Sequence, residues 1–240
     1  MDSSDENQHV PRGVFYCPVH RSFFYLLATI LGIIVTLLFL DIVGAAFKRL
    51  FHSLSIAGII LLFVTCLLGS LVNIPLKTLR TRIPIMRSGY VTVLGFTYPI
   101  PTIVMRSYET LLVVNLGGAI IPTLASLYLL VRTPQVLLNA LMATILVTIV
   151  VKTFARPVRG VGITVPGFIP PLAAVLLGIF LGGTYGHVVA YISGTLGTLI
   201  GADLLNLNVI PELGAPVASI GGAGTFDGVF LSGIIAVILF

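Results

Sequence analysis

Two apolar segments near the end of the chain decide the fold: TYGHVVAYISGTLGTLIGADLLN at residues 184–206 and PVASIGGAGTFDGVFLSGIIAVILF at residues 216–240. Each is long enough to cross the hydrocarbon core of a bilayer, which takes about 20 apolar residues. Each also carries one aspartate, Asp203 or Asp227, and several glycines. Because a charge in hydrocarbon is costly and glycine resists helix formation, the pattern predicts membrane-spanning helices that break around a polar site.

The rest of the chain has the same apolar character. Of 240 residues, 57% are hydrophobic and 9% are charged, whereas an ordinary soluble domain has about 25% charged residues. The mean hydropathy is +1.12. This composition excludes a soluble enzyme, a nucleic-acid-binding protein and a disordered chain. The lipid bilayer is the expected partner, and the sequence contains no motif that predicts a cofactor or a metal centre.

Seven segments have the length and composition of membrane spans. We therefore predict an all-α polytopic bundle of about seven helices, some of them kinked or discontinuous. The bundle would form a single transmembrane domain over residues 22–240, after a polar N-terminal segment at residues 1–21. The predicted spans are 22–47, 53–76, 110–131, 135–155, 168–183, 184–206 and 216–240.

Positive charges are distributed unevenly between the two sides of this predicted topology. Of the 13 Lys and Arg residues, only Lys48, Arg49 and Arg132 fall on the side opposite the N-terminus. Loops on the cytoplasmic side of membrane proteins carry the excess of Lys and Arg. We therefore expect a multi-pass protein of the cell membrane with a cytoplasmic N-terminus and an extracytoplasmic C-terminus.

Residues 77–109 form the one long loop of the predicted topology. The middle of the loop, GYVTVLGFTYPIPTIVM at residues 89–105, has β-branched and aromatic residues on both sides of two prolines. The prolines and the flanking arginines argue against an eighth span. A small cytoplasmic β-hairpin and an irregular loop fit the pattern equally well.

The predicted third span contains a site for a kink. Pro122 lacks a backbone N–H, and in a helix its ring pushes on the carbonyl of Gly118. We predict a kink at Gly117–Gly118, with Asn115 one turn away to serve the backbone groups that the kink releases. The alternative is a packing kink in which Asn115 links two helices.

The candidate binding residues lie at this kink and in the last two spans. Asp203 and Asn206 are near the predicted cytoplasmic end of the sixth span. In the seventh, clustered glycines resist helix formation, Thr225 is a candidate N-cap and Asp227 is an acid in the first turn. An extended lead-in and a half-helix over 226–240 are expected. The full set is Asn115, Asp203, Asn206, Gly221, Gly222, Gly224, Thr225 and Asp227.

Five motifs lie along most of the chain: NIPL at 73–76, NLGGAIIPTLASLYLL at 115–130, ARPVRGVGITVP at 155–166, AYISGTLGTLIGADLLNL at 190–207 and LGAPVASIGGAGTFDGVFLSGIIAVIL at 213–239. Together they resemble the membrane family known as domain of unknown function 1614. The resemblance implies a bacterial or archaeal integral membrane protein. It supplies no established activity, so a function has to be argued from the residues.

Three functions remain open. The first is a transporter-like protein for a small solute or cation, with an intramembrane polar site around Asp227. The second is an intramembrane aspartyl protease that uses Asp203 and Asp227, although Phe226 stands where the GxGD helix of such proteases has glycine. The third is a non-catalytic membrane scaffold or lipid-handling protein. Carboxylates within about 5 Å of each other would favour the protease, and an enzyme is the less expected outcome.

Overall fold

The computed structural model describes residues 21–51, 56–93, 96–222 and 228–240. The chain divides into two compact units, Met1–Asp41 and Ile42–Phe240. Helix α1, Arg21–Leu50, crosses the boundary between them. In the first unit, its side chains from Phe24 onwards are exposed and almost all apolar. Such a surface suits a helix that is surrounded by lipid.

The second unit is built around helix α6, Gly186–Thr198, which is buried along nearly its whole length. Four helices pack on α6: α3, Ile121–Arg132; α4, Leu137–Phe154; α5, Ile169–Gly182; and α7, Gly228–Leu239. Helix α2, Ile56–Gly69, packs on α3. The last turns of α1 add Phe47 and Leu50 to the core that α3, α4 and α6 form.

Small residues allow α6 to approach its neighbours closely. A Cβ atom on Gly197 would lie 2.6 Å from the side chain of Val147 in α4. A Cβ atom on Gly178 in α5 would lie 2.7 Å from the carbonyl oxygen of Gly186. Helices in a membrane associate by this kind of close packing, because the lipid tails are as apolar as the side chains.

Two long strands leave the helices as a β-hairpin. Strand β1, Asn73–Val93, pairs antiparallel with β2, Phe96–Asn115, in a register that starts at Asn73 opposite Asn115 and has one bulge after Pro75. Two short strands after α4, β3 (Arg156–Val158) and β4 (Gly162–Thr164), form a second, antiparallel pair. Strand β5, Val217–Ile220, runs parallel to the base of β2.

The prediction of a seven-span all-α bundle is wrong. Within the described residues, three helical segments are long and apolar enough to cross a membrane: Phe24–Leu50, Pro134–Phe154 and Ile169–Asn206. The last would be about 57 Å long if it were straight. It is instead the antiparallel pair α5 and α6, because the chain reverses at Gly183 with φ +53°. These apolar helices are compatible with a membrane protein.

Two of the predicted spans, 53–76 and 110–131, fail for the same reason. Each joins a helix to a strand: residues 73–76 begin β1, and residues 110–115 end β2. A short apolar run fits a buried strand as well as it fits a helix. Of the two alternatives for 77–109, the hairpin is therefore the one present, and it is longer than predicted because it takes residues from both of these spans.

Candidate functional site

Polar groups from six segments meet where the hairpin leaves the helices. The segments are the end of α2, the starts of β1 and α3, and the ends of β2, β5 and α6. We call this group of residues the junction network: Ser70, Asn73, Asn115, Gly118, Asp203, Ser219 and Gly221.

Asn115 is the centre of the network and is 1% exposed. Its Nδ2 donates to the carbonyl oxygen of Ser70 at 2.6 Å and to Oδ1 of Asn73 at 3.2 Å. Its Oδ1 accepts a hydrogen bond from the backbone N–H of Gly118 at 2.7 Å. Asn115 is therefore the N-cap of the helical turn that leads into α3, and it links that turn to α2 and β1.

Glycine backbones touch at the centre of the junction network. A Cβ atom on Gly118 would lie 1.9 Å from the carbonyl oxygen of Gly221. Gly221 itself has φ +78°, and a Cβ atom on it would lie 2.5 Å from that of Ala119. On the other side, a Cβ atom on Gly117 would lie 2.0 Å from the carbonyl oxygen of Cys66. Only glycine fits at these positions.

Asp203 joins the network from the end of α6. Its Oδ2 accepts a hydrogen bond from the backbone N–H of Gly221 at 2.7 Å, and the side chain is half-buried. The neighbouring Gly201 packs against Thr148 and Val151, in the last turns of α4. Asp203 therefore lies near the C-terminal end of α4.

The helix backbone is irregular on both sides of this contact. Residues Leu199–Asp203 continue α6 as a π-helical turn, and Leu116–Ile120 lead into α3 as another. Such π-helical turns occur frequently at functional sites. Pro122 is buried in the first turn of α3, and no helix runs through 110–131 for it to kink, because residues 110–115 end β2. The helix begins only at Leu116, and Gly117 and Gly118 provide close contacts there.

Asn206 belongs to a separate group. Its Nδ2 donates to the carbonyl oxygens of Gly201 and Ala202 at 3.0 and 2.8 Å. Its Oδ1 accepts a hydrogen bond from Nζ of Lys152 at 2.5 Å, and Lys152 also donates to the carbonyl oxygen of Leu205. Asn206 and Lys152 thus satisfy the carbonyl groups that the irregular end of α6 leaves exposed.

The last part of the predicted site is described incompletely. Residues Val217–Ile220 form β5, and Gly221 and Gly222 follow it with φ +78° and +92°, so this stretch of the predicted seventh span is not helical. Gly224, Thr225 and Asp227 lie outside the described residues. The distance between Asp203 and Asp227, on which the protease hypothesis depends, therefore stays a prediction.

Three partners in the network were not among the predicted site residues: Ser70, Asn73 and Ser219. Ser219 Oγ donates to Oδ1 of Asn73 at 3.0 Å. Asn73 is exposed, whereas Asn115 is buried. Hydrogen bonds therefore connect the exposed Asn73 to the buried Asn115, and Asp203 binds Gly221, whose carbonyl oxygen lies against Gly118. The sequence feature that could have identified these three residues is that each is a polar residue beside an apolar run.

This arrangement offers oxygen atoms and one carboxylate. The Asp203 carboxylate, the Asn73 amide oxygen and backbone carbonyl groups are ligands that suit a hard cation or a hydrogen-bonding solute. In the turn before α3, the Gly118 N–H already donates to Asn115 and the Leu116 N–H to the carbonyl oxygen of Val72.

Comparison with known proteins gives one family and no individual relative. A family model described as "Protein of unknown function (DUF1614)" matches residues 67–239. No curated protein and no solved structure matches the chain. The matched range covers most of the chain, including every residue of the junction network, so the protein belongs to the DUF1614 family, as its motifs indicated.

Proposed function

We propose that the protein is a membrane transporter-like protein for a small solute or cation, and that the junction network is part of its path. The observation that carries the proposal is the position of Asp203. Its carboxylate lies at an irregular helix end, against the glycine-rich lead-in to a short helix. Transporter sites are typically built from discontinuous helices of this kind.

A cation fits the charge of the described site better than an anion does. Asp203 is the acidic member of the junction network. Acidic side chains within membrane helices commonly mark ion or proton pathways. The predicted contribution of Asp227 is consistent with the same sign of charge.

The positive charges of the second unit support an orientation. Lys77, Arg80, Arg156 and Arg159 belong to the hairpin or to the segment after α4, at the same end of the helices as the junction network. At the opposite end a cavity of about 550 Å³ is lined by Arg49, Thr133, Tyr185, His187 and Phe240, among others. By the positive-inside rule, the hairpin faces the cytoplasm of a cell membrane and Phe240 faces the other side. The cytoplasmic N-terminus stays a prediction from the sequence.

Asp203→Asn tests the proposal. The amide oxygen of asparagine can still accept the hydrogen bond from Gly221, so the fold should survive while the charge is lost. In proteoliposomes with an imposed membrane potential, we expect the variant to lose at least 90% of the wild-type flux of H⁺, Na⁺ or K⁺, about a tenfold effect that corresponds to about 1.4 kcal/mol.

Two further variants make this result specific. Glu212→Gln removes an exposed carboxylate close to the same end of the helices and should leave the flux unchanged. Asp203→Leu should lower the melting temperature as well as the flux, because the Gly221 N–H loses its acceptor. A wild-type protein that carries none of the three ions above protein-free vesicles, or full flux in Asp203→Asn, would refute cation transport through this site.

A further inference from the structure

The connection between α4 and α5, residues 155–168, begins and ends at different depths, and we call it the return segment. Asn139 in α4 donates to the carbonyl oxygen of Leu181 in α5 at 2.8 Å, so these two residues are at the same level. Val151 and Ile169 each lie twelve positions from that contact along their own helix. At 1.5 Å per residue both are about 18 Å away from it. The start of α5 is therefore level with Val151, one turn before α4 ends.

The candidate span Pro134–Phe154 relates this level to a bilayer. Its 21 residues extend for about 32 Å, which matches a hydrocarbon core of about 30 Å. Val151 is then about 5 Å inside the hydrocarbon. Val165 supports the same level, because it packs against the cluster that contains Val151 and Ala202. Phe168 follows at this depth and is 70% exposed, so its ring faces the acyl chains of a surrounding bilayer.

The other part of the return segment carries positive charge. Arg156 begins β3 just after α4 ends, and Arg159 lies in the turn between β3 and β4. The backbone N–H of Gly160 donates to the carbonyl oxygen of Leu213 at 2.9 Å, which holds this turn against the segment after α6. Both arginines are exposed. In the part of the chain that the structure describes, neither has an ion-pair partner.

Strands β3 and β4 connect the charged part to the apolar part. Arg156 lies opposite Thr164, whose Oγ1 donates to the carbonyl oxygen of Arg156 at 3.2 Å. Phe168 follows Thr164 by four positions. The return segment thus joins a ring in the outer hydrocarbon to cations in the headgroup layer. A partner that contacts both needs an apolar part beside Phe168 and an anionic part beside Arg156.

We propose that the return segment binds an anionic phospholipid, with the phosphate at Arg156 and Arg159 and the acyl chains along Phe168. Arginine binds phosphate through paired N–H···O hydrogen bonds, and each cation near an anionic membrane surface strengthens binding about fivefold. A soluble anion would leave Phe168 without a contact, and a soluble protein cannot reach a ring at that depth. The inference requires a bilayer around α4 and α5, but it does not depend on transport through the junction network.

Tryptophan fluorescence tests the depth, because the chain contains no tryptophan of its own. Phe168→Trp is reconstituted in liposomes whose acyl chains carry bromine, and we expect quenching of about half of its fluorescence or more, since the ring lies in the hydrocarbon. Met86→Trp is the control. Met86 is 83% exposed but lies 13 positions along β1 from Asn73, about 43 Å. Equal quenching of the two variants would overturn the proposal.

The same introduced tryptophan measures the preference for a headgroup. Quenching of Phe168→Trp by brominated phosphatidylglycerol is compared with quenching by brominated phosphatidylcholine at a fixed amount of total lipid. We expect the anionic lipid to bind about fivefold more tightly or better, and the two lipids to bind equally once Arg156→Gln/Arg159→Gln is added. Arg87→Gln removes an exposed charge far along β1 and should keep the preference.

Three results of this comparison would refute the lipid site. The first is equal affinity for the two lipids while both arginines are present. The second is an unchanged preference in Arg156→Gln/Arg159→Gln. The third is loss of the preference when inorganic phosphate is added at constant ionic strength, which would assign the arginines to a soluble anion.

Discussion

Gly118→Ala is expected to destabilise the protein strongly. The new Cβ atom would lie 1.9 Å from the carbonyl oxygen of Gly221, and that oxygen belongs to a backbone that cannot rotate away. Gly221 is in turn held by Asp203 through its N–H. Separating the two segments would disturb the hydrogen bond as well as the packing, so we expect a loss of about 3 kcal/mol or more.

The measurement uses a thiol that the fold already protects. Cys66 is 5% exposed, so in a Cys17→Ser background a thiol-reactive dye reports unfolding in detergent as Cys66 becomes accessible. Gly44→Ala is the matched control: a Cβ atom there has no neighbour within 4 Å, and alanine is the better helix former. We expect the melting temperature of Gly44→Ala to stay level or rise. A Gly118→Ala variant as stable as the wild type would contradict the contact.

The sequence predicted the helices best where apolar runs were long and uninterrupted. Helix α4 ends one residue from the predicted end of 135–155, and the α5–α6 pair follows the predicted spans 168–183 and 184–206 closely. The prediction failed at Asn73 and Asn115. There the apolar pattern continues while the chain changes from helix to strand, and what decides the change is pairing with a strand distant in sequence.

The site shows the same division between local and distant information. Asn115, Gly118, Asp203 and Gly221 could be identified because polar residues and clustered glycines are unusual in apolar segments. The sequence could not show that Asp203 would bind Gly221. It also could not show that Ser219 would reach Asn73 across 146 positions of sequence. These contacts depend on the pairing of β5 with β2, and a strand of four residues among glycines carries little pattern of its own.

Asn115→Leu is expected to have an effect of similar size, because one side chain satisfies groups from three segments. Leucine has similar size but neither donates nor accepts. The carbonyl of Ser70 and the N–H of Gly118 would stay buried without the partner that Asn115 gives them. Each such loss costs about 1–3 kcal/mol, so we expect a total of about 4 kcal/mol.

Asn115→Asp separates the two halves of the Asn115 contact. Aspartate keeps the acceptor for Gly118 but turns the donor into a second oxygen, which faces the Ser70 carbonyl and Oδ1 of Asn73. Because those oxygens repel a carboxylate in a buried site, Asn115→Asp should be destabilised nearly as much as Asn115→Leu, and less so as the pH falls and the carboxylate takes up a proton.

Asn139→Leu is the matched control for both variants. Asn139 also lies on a helix, but it is half-buried and donates to the carbonyl oxygen of Leu181 at 2.8 Å. Loss of this hydrogen bond should lower the free energy of unfolding by about 1 kcal/mol. If thermal unfolding in the same detergent gave equal shifts for Asn115→Leu and Asn139→Leu, Asn115 would be one helix contact among many. A shift several times larger for Asn115 would show that it fixes the start of α3 against α2 and β1, since its bonds join those three segments.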